Sequence, residues 1–265
     1  MSFRVFRYII ILLLFFSCKE KESFKEVRIV SHGVSGLYNP QSFHVENTKE
    51  AMHYALKFED LDGIEVDVQY SADKSLWMFH DEFLEDRTSS VGRICEKSDE
   101  VLSEVNYTDV NTTPLSQLMS IDWINNKGSK NIYLDLKNLN SCEMINYTPN
   151  DLLIVLNELS ELEGLTFYPI IKDTSFASVI HNAGYEVYAD AVSFDEAKIQ
   201  LSSFYYGVFI RNAKLSSAEV ADLQINNKKV ILFDMFSLKG VREGFNKHPD
   251  ALLVEDFKSA IIERN

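Results

Sequence analysis

Ile64-Glu65-Val66-Asp67-Val68 sets two carboxylates two residues apart in an apolar, β-branched run. Alternate residues of a strand share a face, so Val66 and Val68 turn one way and Glu65 and Asp67 the other. Two carboxylates side by side on an inner face repel each other and are poorly solvated, so something must neutralise them. A hard divalent cation with oxygen ligands would do so; so would a buried salt bridge to a lysine or arginine elsewhere in the chain. The run from Asn131 to Lys137 repeats the spacing with an acid and a base, Asp135 and Lys137. Asp135 can complete a three-carboxylate metal site and Lys137 can meet a phosphate oxygen, or the two can simply pair at a strand end. His32 closes the run Val30-Ser31, and His80 follows Phe79. Histidine moves protons near neutral pH because its unperturbed pKa is about 6.5. Each, taken alone, also reads as a structural histidine. His44, His53, His181 and His248 have no comparable setting.

Such residues act together only if a frame brings strand ends to one place. Strands are expected at Val27–Ser31, Gly63–Tyr70, Ser75–Phe79, Asn131–Leu136, Phe167–Ile171, Tyr185–Ala189, Tyr206–Ile210, Lys229–Asp234 and Ala251–Val254. Helical periodicity falls between most of them, at Thr48–Phe58, Pro114–Asn125, Pro149–Leu159, Ser175–Ala183, Phe194–Ser202, Ser216–Gln224 and Leu238–Phe245. Alternation of this kind predicts parallel pairing and an α/β fold. Only Ser71-Ala72-Asp73-Lys74 separates the second and third strands, too little for a helical crossover, so those two must form a hairpin. Eight parallel strands remain. The expected fold is a (β/α)8 TIM barrel with an extra β-hairpin over its C-terminal face, where barrel active sites sit. The hairpin would carry His80 over the mouth.

The chain of 265 residues has the composition of one folded domain, with 46% hydrophobic and 25% charged residues. Its formal charge is −14, and loss of Arg4 and Arg7 with residues 1–17 would make it −16. A surface this acidic argues against nucleic acid as a partner and against a polybasic grip on anionic lipid. At the N-terminus, two arginines precede an apolar run from Tyr8 to Phe16 that is too short for a membrane span of about 20 residues. It fits a signal peptide over 1–17. Ser17-Cys18 followed by Lys19-Glu20-Lys21-Glu22 resembles a bacterial lipobox, with Cys18 the lipidated residue and 18–26 the anchor and tether. The barrel then occupies 27–265, as a monomer in the cell envelope, held to a membrane through Cys18 and facing periplasm or exterior. Export permits a disulfide between Cys95 and Cys142 but does not require one.

Several short motifs in one order resemble the glycerophosphodiester phosphodiesterases of the phosphatidylinositol phospholipase C-like superfamily. That family carries His-Arg-Gly after the first strand, Pro-Glu-Asn-Thr opening a helix, Glu-x-Asp-Val, a hairpin, His-Asp, and Arg-Thr before a glycine. Here stand His32-Gly33, Val45-Glu46-Asn47-Thr48, Glu65-Val66-Asp67-Val68, His80-Asp81 and Arg87-Thr88 before Gly92. Thr113-Pro114-Leu115-Ser116-Gln117 echoes a family helix start, and Asp135-Leu136-Lys137 echoes its Glu-x-Lys. The resemblance is strongest from Val27 to Lys137. It implies one divalent cation, Ca2+ or Mg2+, held by Glu65, Asp67 and Asp135 with Glu46 as ligand or neighbour. It implies His32 and His80 as acid and base, Lys137 on the substrate phosphate, and a small-molecule phosphodiester as substrate.

The departures are specific. Gly33 stands where the family has arginine, a segment Val34–Val45 intervenes, Val45 replaces proline, and Asp135 is one methylene shorter than glutamate. The late family tryptophan is absent from Lys229–Asp234. Two other readings rest on particular residues. An apolar rim of Phe43, Phe83 and Leu84 would suit a sphingomyelinase D-like or phospholipase C-like activity on lipid. The missing arginine would suit a non-catalytic surface lipoprotein that binds a phosphorylated ligand.

Overall fold

A computed structural model describes residues 24–37, 42–109, 111–123, 128–137 and 147–265. The expected signal segment, Cys18 and Cys142 lie outside them. Ten strands form one sheet: β1 (Arg28–Ser31), β2 (Gly63–Tyr70), β3 (Leu76–Met78), β4 (Ser116–Gln117), β5 (Lys130–Leu136), β6 (Leu165–Ile170), β7 (Tyr188–Ala191), β8 (Gly207–Arg211), β9 (Lys229–Phe233) and β10 (Ala251–Val254). Around the sheet lie α1 (Lys49–Ala55), α2 (Asp99–Ser103), α3 (Pro149–Leu159), α4 (Thr174–Asn182), α5 (Phe194–Leu201), α6 (Ser217–Leu223), α7 (Leu238–Phe245) and α8 (Phe257–Arg264). The N-cap of each described helix is Ser, Thr or Asp, as at Thr48, Asp173 and Ser237, whose oxygens accept backbone N–H groups. Among the described residues no helix is long and apolar enough to cross a membrane.

Eight strands run parallel in the order β1-β10-β9-β8-β7-β6-β5-β2, and β1 also pairs with β2, which closes the barrel. This is the expected TIM barrel. As the four-residue gap demands, β3 turns back antiparallel on β2, and β4 adds antiparallel to β3. The pleat sorts two cores. Outward residues such as Ile64, Val66, Val68, Ile132 and Leu134 pack under the helices. Inward residues Val30, Tyr133, Tyr188, Phe209 and Ile231 fill the barrel. A Cβ on Gly207 would lie 2.3 Å from the Tyr188 ring, so glycine makes room for that filling.

Two expectations need correction. Residues 114–123 form no α-helix, only a 3-10 turn at Leu118–Ser120: Ser116 and Gln117 pair with Met78 and Trp77, and the Lys49 N–H donates to Ser116 Oγ at 3.0 Å. Tertiary pairing overrides the local periodicity there. The seventh strand begins at Tyr188 rather than Tyr185, because the end of α4 continues through Gly184 (φ 101°) and the Tyr185 N–H donates back to the Ile180 carbonyl.

Candidate active site

The C-terminal end of β2 carries Glu65, Asp67 and Gln69, all buried and all of one parity. Parallel register sets Asp67 beside Asp135 of β5. Carboxylate oxygens of Glu65, Asp67 and Asp135 lie within 4.8 Å of one another. Neighbouring chain fixes each one. The Gly33 N–H donates to Glu65 Oε2 at 2.8 Å. Asn47, itself in the left-handed region (φ 54°), donates from Nδ2 to Asp67 Oδ2 at 2.7 Å and accepts the Asp67 N–H at 3.0 Å. Lys137, just past β5, sets its ammonium against Asp135 and 3.0 Å from Asp67 Oδ1.

These groups set one another's protonation. Burial, with Asp67 and Asp135 beside it, holds Glu65 well above the ordinary carboxylate range. Burial alone would raise Asp67, but the Lys137 ammonium and both histidines prevail and bring it down to about 2. Burial outweighs Lys137 at Asp135 and raises it. Burial opposes the charge on Lys137, yet three carboxylates hold its pKa well above normal.

The cluster fits a hard divalent cation. Three carboxylates face a single ammonium, and burial pushes both Glu65 and Asp135 toward their neutral forms. Asp67 Oδ1 is buried and makes no hydrogen bond, although the ammonium stands near it. An all-oxygen donor set of this kind suits Ca2+ or Mg2+.

Both histidines border the same cavity of about 500 Å³, together with Glu65, Asp135, Lys137 and Glu255. His32 leaves β1 with its N–H on the Val254 carbonyl, and its Nδ1 lies 2.6 Å from Glu255 Oε1. His80 leaves the hairpin with Nδ1 2.8 Å from Asp81 Oδ1. Gln69 pins that exit by donating to the Phe79 and Asp81 carbonyls at 2.9 and 2.8 Å. Burial lowers the His80 pKa, but the Asp81 hydrogen bond and the Asp67 charge outweigh it and raise the value.

The expected site residues thus converge, with one placed differently. Glu46 is not part of the three-carboxylate cluster; its carboxylate is engaged by Arg87 Nη1 at 2.5 Å. Asn47, Gln69 and Glu255 hold the reacting groups and were not assigned from sequence. Strand parity with Glu65 and Asp67 was the signal for Gln69. The expected apolar rim is only partial: Leu84 is fully buried, Phe83 is 38% exposed, and Phe43 is 86% exposed.

Residues 32–162 match the sequence model of the glycerophosphoryl diester phosphodiesterase family. No curated protein matches the chain. Solved structures do. An Oleispira antarctica phosphodiesterase in complex with the product sn-glycerol-3-phosphate superposes with a TM-score of 0.73 at 19% identity, covering 89% of this chain and 96% of its own. A glycerophosphodiester phosphodiesterase of Agrobacterium tumefaciens gives 0.68 at 16%, covering 89% and 99%. A glycerophosphoryl diester phosphodiesterase of Parabacteroides distasonis gives 0.65 at 14%, covering 95% and 90%. Identities this low speak to the fold, which they share with this barrel. The sequence match spans the segment that holds the acidic cluster, both histidines and Lys137, and over that segment the chain is similar to the glycerophosphoryl diester phosphodiesterase family.

Proposed function

We propose that the site hydrolyses glycerophosphodiesters by acid and base catalysis from His32 and His80, with one divalent cation, Ca2+ or Mg2+, on Glu65, Asp67 and Asp135. The observation that carries this reading is a three-carboxylate cluster and two carboxylate-held histidines on one cavity. The Oleispira structure, with sn-glycerol-3-phosphate as product, supports the choice of diester. The cation, when bound, polarises the phosphoryl oxygens and offsets their developing charge.

The chain's own groups do the rest. With Nδ1 of each ring committed to a carboxylate, Nε2 exchanges protons with substrate. His32, steadied by Glu255, takes the proton of the substrate's neighbouring glycerol hydroxyl. That oxygen forms a bond to phosphorus while the bond to the leaving alcohol breaks. His80, held by Asp81, gives a proton to the departing oxygen. Water then opens the cyclic phosphate with the roles exchanged, which restores both rings. Lys137 donates to a phosphate oxygen once its carboxylate partners bind the cation. Metal-dependent hydrolysis of glycerophosphocholine, lost in His32→Ala and in His80→Ala, is the expected result. Metal-independent turnover, or turnover that survives both substitutions, contradicts the reading.

Cys18 as a lipid anchor, after a signal segment at 1–17, belongs to the same reading. Cys95 is disulfide-bonded, a state that persists in exported proteins. Phe24 stacks on Phe245 at 5.0 Å, at the end of the barrel opposite the mouth. The stretch from Cys18 to Phe24 reaches about 20 Å at most. An anchor there would leave the mouth open to water, which favours soluble diesters over lipids of the anchoring leaflet. Cys18→Ser is expected to move the protein from the membrane to the soluble fraction; unchanged membrane retention contradicts the anchor.

A further inference from the structure

The proposed chemistry uses one side of the cavity. The other side is built from the ends of β6 to β9, where Lys172, Asp190, Arg211, Asp234, Phe233 and Phe236 line the same space. Lys172 Nζ lies 3.1 Å from Asp190 Oδ2, and Arg211 Nε lies 3.5 Å from Asp234 Oδ2. Arg211 also sits over the Phe233 ring, 5.8 Å from its centroid. Asp234 adopts φ 71°, in the left-handed region that aspartate enters more readily than most residues. Phe236 is 78% exposed at the rim.

Stability does not account for this wall. Both cations are largely exposed and their carboxylates partly so, and ion pairs with an exposed partner contribute little to folding. An exposed phenylalanine adds nothing to the core. Cations, carboxylates and an exposed aromatic ring brought from separate strand ends to one cavity wall point instead to a ligand.

The charges restrict that ligand. Two cations and two carboxylates sum to zero. Each carboxylate already has a cation, so no net negative charge is left for a quaternary ammonium. Each cation already has a carboxylate, so neither is committed to a second phosphate. What remains is an alternation of donors and acceptors beside aromatic rings. A hydroxyl both donates and accepts, and the C–H face of a polyol packs on an aromatic ring. Resting on the phosphodiesterase reading, we infer that this wall is a leaving-group subsite for a neutral polyhydroxylated alcohol, such as a glycerol or cyclitol headgroup, in preference to choline or ethanolamine.

The test is kcat and KM for glycerophosphoinositol and glycerophosphoglycerol against glycerophosphocholine and glycerophosphoethanolamine. The polyol diesters are expected to exceed the amine diesters by about tenfold or more in kcat/KM, chiefly through KM. Lys172→Gln with Arg211→Gln leaves the wall at net −2, and the ratio of polyol to choline turnover is expected to fall at least about tenfold. Phe236→Ala should raise KM for both polyol substrates. Amine diesters that equal or exceed the polyols in the wild type, or a ratio the double variant does not move, overturn the subsite. Failure to cleave any of these glycerophosphodiesters overturns the enzymatic reading instead. Calorimetric titration with glycerophosphoinositol then judges the subsite alone: binding weakened by the same double variant upholds it, and binding insensitive to that variant rejects it.

Discussion

Two lysines stand at opposite ends of β5, and the chain neutralises them in different ways. Lys130, at the N-terminal end, is 2% exposed, and its ammonium donates to the carbonyls of Phe58, Glu59 and Leu61 at 2.8, 3.2 and 2.5 Å. Backbone dipoles hold it, and burial lowers its pKa. Lys137, at the C-terminal end, lies among Asp67, Asp135 and Glu65, and those carboxylates raise its pKa against the effect of burial. Partial charges from fixed carbonyls make a permanent joint between β5 and the loop before β2. Full charges from carboxylates make an arrangement that a better cation can rearrange. The N-terminal end of the strand serves the fold and the C-terminal end serves chemistry, as barrel architecture leads one to expect.

Substitutions can break this contrast. The largest expected effect is at the cluster. Glu65→Gln keeps the shape and can still accept the Gly33 N–H, so the metal-free thermal midpoint should hold while turnover drops roughly 10²–10³-fold. Normal turnover in this variant would remove Glu65 from the ligand set. Next is Lys130→Met, which leaves carbonyls without their donor and should cost about 2–4 kcal/mol in denaturant unfolding with kcat unchanged in the folded enzyme. A loss of kcat at unchanged stability would erase the distinction between the two ends. Lys137→Met should reverse the pattern, with turnover down roughly 10- to 100-fold, little loss of stability, and divalent-ion affinity retained or improved.

The smallest effect is with pH. The folded-state pKa of Glu65 is raised above its ordinary value of 4.5. Its contribution to stability is therefore complete below that value and is lost as pH rises through the raised one. The metal-free protein should lose stability across that window, and Ca2+ or Mg2+ should restore more of it at higher pH because binding displaces the proton. Thermal midpoints with EDTA and with each ion would show this, and ion stabilisation that does not vary with pH would contradict it.

The part of this arrangement that was legible in the sequence is the part with a period or a fixed offset. Two-residue spacing put Glu65 and Asp67 on one face, and the four-residue gap Ser71–Lys74 forced the hairpin that delivers His80. The periodic stretch from Pro114 misled because its residues complete an antiparallel edge against β3, a contact no local pattern reports. The family resemblance implied Glu46 as a ligand or a neighbour of the cluster; it lies outside the three-carboxylate group and pairs with Arg87, 41 positions later. Glu255 could not be assigned, since its link to His32 spans 223 positions. The wall of Lys172, Asp190, Arg211 and Asp234 was equally hidden: each is one residue at one strand end, and only barrel closure brings them together.

The central claim is that a cation on the acidic cluster and two carboxylate-held histidines together cleave a phosphodiester. It is tested most directly by hydrolysis of glycerophosphodiesters by the chain from Lys19 onward, in Ca2+, Mg2+ or EDTA, beside His32→Ala and His80→Ala. The account predicts turnover that requires a divalent cation and collapses in both variants while their folding is preserved. Turnover indifferent to EDTA or to either histidine, or tight cation binding without turnover of any diester, would contradict it.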